Sequence, residues 1–298
     1  MATRSGTLDR RQSVAIGVRS RTAQRATLAF TYAVLVAGIV FILAPVVWML
    51  STSLKDIGSV FLFPPRVIPH PVMWRNYAEG WNAQPFGLFL RNTLLITFTA
   101  TVGQLCSSAV VAFGFARLRG FGSNALFIVL LSTIMLPVHV TLIPTFILFK
   151  HVGWIDTFFP LIVPAFFGGG PFAIFLLRQF FMTIPLELDD AARIDGATTF
   201  GVFARICLPL ALPALATIAI FSFLAHWNDF LLPLIYLQSE GHYTLAIGLN
   251  LFRAESTAVT PWNQLMAVSL LVMLPPLLVF FFAQRWFIQG IVISGVKG

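Results

Sequence analysis

Apolar residues arrive along this chain in long blocks separated by short polar segments. Six windows contain no Asp, Glu, Lys or Arg: Ala26–Leu54, Asn92–Ala116, Phe121–Phe149, Thr157–Leu177, Ile206–Asn228 and Ser256–Gln284. A helix needs about 20 apolar residues to cross about 30 Å of hydrocarbon, and each window is long enough. Barrel strands would be about ten residues long and would alternate, which these runs do not. The pattern predicts an all-α membrane protein with six transmembrane helices.

Two of the windows carry helix breakers. Pro137 and Pro144 interrupt the third, and Pro160, Pro164 and Gly168-Gly-Gly-Pro171 interrupt the fourth. A carbonyl freed inside the bilayer must find a partner, so both spans are expected to face protein or a water-filled cavity. Pathway lining and close helix packing are the two roles open to them. Residues 55–85 hold five prolines, Pro64, Pro65, Pro69, Pro71 and Pro85, which favour an extended or turn-rich path over a helix. Trp74, Tyr77 and Trp81 in that loop can stack on a sugar or anchor the loop against membrane or protein.

The most informative polar segment is Pro185–Phe200. Glu187, Asp189, Asp190 and Asp195 fall within it, four of the chain's eleven acidic residues. Pro185 suits a helix start, and the first three acids complement the positive end of a helix dipole. Asp189 and Arg193 are four apart, an exposed pairing worth about 0.2–0.5 kcal/mol. Leu188, Ala191, Ala192 and Asp195 share one small-residue face. Gly196 is placed to end the helix in a left-handed cap, and Thr198 or Thr199 to cap a second helix running past Phe203 and Arg205 to Pro209. An L-shaped pair of short helices between two spans is a handle for something outside the bilayer.

Charge gives that handle a side. With the amino terminus inside, thirteen of the nineteen Lys and Arg residues fall on the inner side and six on the outer, placing both termini and the handle in the cytoplasm. Hydrophobic residues make up 58% and charged residues 10%, against about a quarter charged in soluble domains. The net charge of +8 then reports topology and contact with anionic lipid, not nucleic acid. Residues 1–27 read as an Arg- and Ser-rich cytoplasmic tail, and 28–298 as the membrane domain. The first span is too long for a signal peptide's core and is expected to stay as an anchor. Cys106 and Cys207 have no metal-type spacing and read as small packing residues. No metal site is expected from the scattered histidines.

Asp190-Ala-Ala-Arg-Ile-Asp-Gly-Ala197, followed by Phe203 and Leu208-Pro-Leu210, resembles the signature loop of ATP-binding-cassette importer permeases, usually written EAA-x-x-DGA. Asn92-Thr-Leu94, Trp227-Asn-Asp-Phe230 and the carboxy-terminal Gln284-Arg-Trp-Phe-Ile-Gln-Gly290 agree in order with the carbohydrate-uptake branch, of the maltose-permease type. The main departure is Asp190, where the family commonly has Glu. The resemblance implies the type I ABC importer permease fold in a bacterial cytoplasmic membrane. It makes 185–204 the coupling helices, with Asp190, Ala191, Ala192, Asp195, Gly196 and Ala197 docking on a cytoplasmic ATPase. It also implies a second homologous permease, two ATPase subunits carrying ATP and magnesium, an extracytoplasmic binding protein, and a sugar or related polyol as cargo.

His226, Asn228 and Asp229 end the fifth window and offer hydrogen bonds to a passing polyol, or knit a helix end to a neighbour. A carboxylate at bilayer centre costs about 2.5–3.5 kcal/mol, which puts Asp229 near a span end or a cavity. His139, beside Pro137, is expected to be buried and satisfied. No catalytic constellation and no G-x-x-x-x-G-K-[ST] is present, so this chain is not expected to be an enzyme or to bind a cofactor itself. The rival reading, an ion-coupled carrier working without an ATPase, predicts midplane charges and two related halves. Neither is evident in the sequence.

Overall fold

The computed structural model describes residues 21–118, 120–254 and 260–295. Most of the tail expected over residues 1–27 lies outside them; the first helix, α1, already runs from Arg21 to Ser53. The chain continues through α2 (Arg75–Ala83), α3 (Phe86–Arg117), α4 (Ser123–Ser132), α5 (Val138–His151), α6 (Phe159–Phe166) and α7 (Pro171–Thr183). Then follow α8 (Leu186–Ile194), α9 (Thr199–Val202), a π-helical turn (Phe203–Cys207), α10 (Leu208–Leu210) and α11 (Leu212–Trp227). The remaining helices are α12 (Leu231–Tyr236), α13 (Leu245–Ala254) and α14 (Trp262–Gly295).

Four spans are continuous enough to cross a bilayer: Thr27–Ser53, Phe86–Arg117, Phe159–Thr183 and Trp262–Gln284. Counting each bent pair as one span brings the number among the described residues to six: Ser123–Met135 with α5, at 99°, and Thr199–Leu210 with α11, at 75°. The sixfold apolar pattern is thus an all-helical, six-span architecture. Its centre is α3, which packs against α6, α7 and α11, while α14 packs against α1, α2 and α11.

Breaks in the apolar helices are answered by polar side chains from neighbours. In the α6–α7 span, Gly168, Gly169 and Gly170 all adopt positive φ. Ser107 of α3 donates to the Ala165 carbonyl at 2.8 Å, and Ser108 to the Gly169 carbonyl at 3.1 Å. The α3 backbone runs so close that a Cβ on Gly169 would collide with the Ser108 hydroxyl and the Gln104 carbonyl. In α14, Pro276 has no N–H for Val272, whose carbonyl instead accepts from the Trp227 indole at 3.2 Å. These two breaks lie where protein supplies the lost partner, as expected of bilayer backbone.

The third span departs from expectation. Leu136 is held extended (ψ 114°) by the proline after it, and beyond the resulting 99° bend α5 meets the bundle through Phe146 and Phe149 at Tyr236. No residue of α5 is buried, and His139 is exposed instead of buried. The 55–85 loop also differs, because nine of its residues form α2. Burial of Asn76 explains this helix: its amide donates to the Ser53 and Lys55 carbonyls, both at 2.8 Å, and stitches α2 to the end of α1. Tyr77 bonds Ser53 at 2.8 Å and Trp81 packs on Phe86, so these rings anchor the loop, while Trp74 lies exposed.

Candidate functional site

The handle at Pro185–Phe200 folds as its residues dictate. Pro185 precedes α8 in extended conformation, and α8 ends in a Schellman motif. The Gly196 N–H donates to the Arg193 carbonyl at 3.0 Å and the Ala197 N–H to that of Ala192 at 2.8 Å. Gly196 sits at φ 84° with open space around it, so its requirement is conformational, not steric. Thr198 then caps α9, accepting from the Gly201 N–H at 3.1 Å. The second arm is not one regular helix: it passes through the π-helical turn before the 75° bend into α11.

Asp190, Ala191, Asp195 and Gly196 are exposed; Ala192 and Ala197 are half-buried and pack inward against the inner core cluster. Ile194 and Phe200, 86% and 73% exposed, extend the outward face with apolar surface. The handle therefore presents carboxylates, a small residue and two large apolar side chains together, a surface that fits a protein partner.

Asp189 does not pair with Arg193. It is buried and lies 3.5 Å from Arg117 at the end of α3, itself buried. Arg117 also donates to the Ile184 carbonyl at 2.7 Å, and the Cys207 thiol lies 3.9 Å from the other Asp189 oxygen. A carboxylate removed from water requires a charged or hydrogen-bonding partner, and Arg117 supplies the charge. The handle is thereby pinned to α3 on one arm and to the approach to α11 on the other.

The second constellation surrounds a cavity of about 200 Å³ between α3, α6, the glycine break and the α11–α12 turn. His226 and Asp229 line it. Asn228 does not; it is exposed and donates back to the Leu224 carbonyl at 2.8 Å, closing its own helix. Asp229 accepts from the Leu232 N–H at 3.3 Å, capping α12. Thr93, from the Asn92-Thr-Leu94 motif, also lines the cavity, as do Gln104 and Thr244, which were not singled out from the sequence. A glutamine three residues before paired serines in an apolar span is the signal that points to Gln104. Asn92 and Thr93 hold the opposite wall: Asn92 donates to the Gly241 and Tyr243 carbonyls at 2.9 and 3.0 Å, and Thr93 accepts from the Leu245 N–H at 2.9 Å.

Residues 105–293 match the family described as binding-protein-dependent transport system inner membrane component. The chain belongs to this family. It is 36% identical over 272 residues to the sn-glycerol-3-phosphate transport system permease protein UgpE of Yersinia pestis, covering 89% of this chain and 96% of the relative. Against the protein of the same name from Salmonella choleraesuis it is 33% identical over 277 residues, covering 91% and 98%. Among solved structures, a chain of a bacterial ABC transporter involved in import of the acidic polysaccharide alginate superposes with a TM-score of 0.80 at 21% identity, covering 90% of this permease and 98% of that chain. A chain of the alginate transporter in complex with an alginate pentasaccharide-bound periplasmic protein gives a TM-score of 0.64 at 15% identity, covering 90% and 96%. The permease thus has the fold of an ABC importer membrane subunit, and its family is an inner membrane one.

Proposed function

We propose that this permease carries a sugar or related polyol, of the oligosaccharide or glycerol-phosphate class, across a bacterial cytoplasmic membrane, driven by ATP hydrolysis on partner subunits. The handle carries this reading: an exposed L of helices, pinned to two spans, resembling the signature loop in sequence and folded around it. The names of the relatives, which transport sn-glycerol-3-phosphate, support the cargo class.

The full assembly would contain a second homologous permease, two cytoplasmic ATPase subunits holding ATP and magnesium, and an extracytoplasmic binding protein. Both termini and α8–α9 would lie in the cytoplasm. Asp190, Ala191, Asp195 and Gly196 would meet the ATPase directly, with Ala192 and Ala197 shaping the turn from behind. Closure of the ATPase pair would push α8, and the Asp189–Arg117 pair would pass that movement to α3. Such a ligand-driven shift needs a differential affinity for the closed state, which ATP supplies.

The test is co-purification from native membranes, comparing wild type with Asp195→Arg plus Gly196→Leu. Wild type is expected to bring down an ATPase, and the variant to lose it while remaining folded and membrane-inserted. Purification of wild type without an ATPase, with vesicle uptake driven by an ion gradient alone, would refute the reading.

A further inference from the structure

Resting on the polyol-importer reading, we propose that the cavity between α3, the α6–α7 break and the α11–α12 turn is a subsite for the hydroxyl groups of a neutral polyol or sugar moiety, and excludes phosphate. Its 200 Å³ equals the liquid share of on the order of six waters, the size of a small polyol. Its wall is mostly apolar carbon with a few polar groups converging on it, the usual make-up of a small-ligand site.

Those groups are incompletely used by the protein. The Thr244 hydroxyl is buried without a partner, on a residue only 4% exposed, and the Nε2 of His226 is likewise buried and unpartnered. Thr93 accepts a backbone N–H and keeps its own hydrogen to give. Gln104 has its carbonyl oxygen occupied by Ser222 at 2.7 Å, while its amide nitrogen faces Gly170 at the cavity wall. Asp229 accepts the Leu232 N–H and retains further acceptor capacity. Buried polar atoms left open cost free energy unless something fills them.

The mixture of donors and acceptors decides the ligand class. A sugar hydroxyl both gives and receives, and so matches hydroxyl donors beside a carboxylate acceptor. A phosphate brings negative charge and mainly acceptor oxygens, and would sit beside Asp229 with no Lys or Arg lining the cavity. The one feature favouring an anion, the amino-terminal end of α7 at Gly170, shares the space with that carboxylate. A phosphorylated cargo would present its polyol end here and its phosphate elsewhere.

The experiment places Thr244→Cys in a background of Cys106→Ser and Cys207→Ala, in the whole transporter reconstituted in proteoliposomes. The rate of maleimide labelling is read with glycerol, maltose, sn-glycerol 3-phosphate or inorganic phosphate present. Glycerol or maltose is expected to slow labelling by 1 + [L]/Kd, about tenfold at ten times Kd, and inorganic phosphate to leave it unchanged. Adding Asp229→Asn should weaken that protection. Protection by inorganic phosphate overturns the proposal, as does an absence of protection by any probe, which means that water alone fills the cavity. Leu232→Cys, on the same wall, replaces Thr244→Cys if the latter does not assemble. ATPase stimulation by loaded binding protein is measured in the same vesicles. Its absence both here and in vesicles of the unmutated transporter counts against the importer reading, while its retention without protection counts against the subsite alone.

Discussion

Asp189 and Asp190 stand side by side in sequence, and burial gives them opposite tasks. Asp189 is enclosed with Arg117, while Asp190 faces outward. Removing one partner of a buried pair leaves the other charge stranded, at about 3–5 kcal/mol. Asp189→Ala should therefore lower the thermal stability of the purified permease sharply, whereas Asp190→Ala, an exposed change, should stay within about 0.5 kcal/mol. Replacing both buried charges, Arg117→Met with Asp189→Leu, should recover most of the loss. Equal melting temperatures for the two single variants would contradict this division. Helical spacing makes Arg193 the obvious mate for Asp189, because local periodicity sees only neighbours on one helix. Arg117 reaches the site through the packing of α3 against the handle, which no local pattern encodes.

At the scale of the element, the broken α6–α7 span shows what a sequence can and cannot disclose. Pro160, Pro164 and three glycines announce a break, and the need for hydrogen bonds in lipid announces that something must answer it. Which helix answers was not foreseen: Ser107 and Ser108 of α3 do so, one turn from Gln104. The glycines are unequal in consequence. Gly168 sits at φ 101° with nothing within 4 Å of where a Cβ would stand, so Gly168→Ala meets backbone strain alone, about 1–3 kcal/mol. Gly169→Ala meets strain and a collision with the Gln104 carbonyl, which belongs to a helix interior and has nowhere to go. Gly169→Ala should thus lose distinctly more stability than Gly168→Ala in thermal unfolding of the detergent-solubilised protein; the reverse order would show that α3 and the break are not in close contact. The third span carried breakers of the same kind, yet α5 lies at the periphery. A span apolar on all sides gives no stripe to say which face turns inward.

Across the whole molecule, the six-span plan and the turn chemistry of the handle were legible, because both depend on composition and local backbone preference. The ties that hold distant segments together were not, because each joins residues far apart in the chain. Asp156 is the clearest of these at the end opposite the handle. It takes φ 60°, and its carboxylate accepts the N–H groups of Gln238 and Ser239, both at 2.9 Å, with His242 Nδ1 at 3.2 Å. Burial opposes its charged form, but these donors and the Ser239 hydroxyl outweigh that and hold the carboxyl well below the usual carboxylate range. A depressed folded-state pKa stabilises the fold above the unfolded value of about 3.9 and loses that contribution as pH falls through the folded one. Asp156→Asn tests this cleanly, since Asn also tolerates positive φ and changes little but the charge. The wild type should exceed Asp156→Asn in thermal stability by a constant margin between pH 8 and 5, and the margin should shrink as pH drops below about 4. A margin that stayed unchanged down to pH 2 would show that the charge of the Asp156 carboxylate contributes nothing to the clasp.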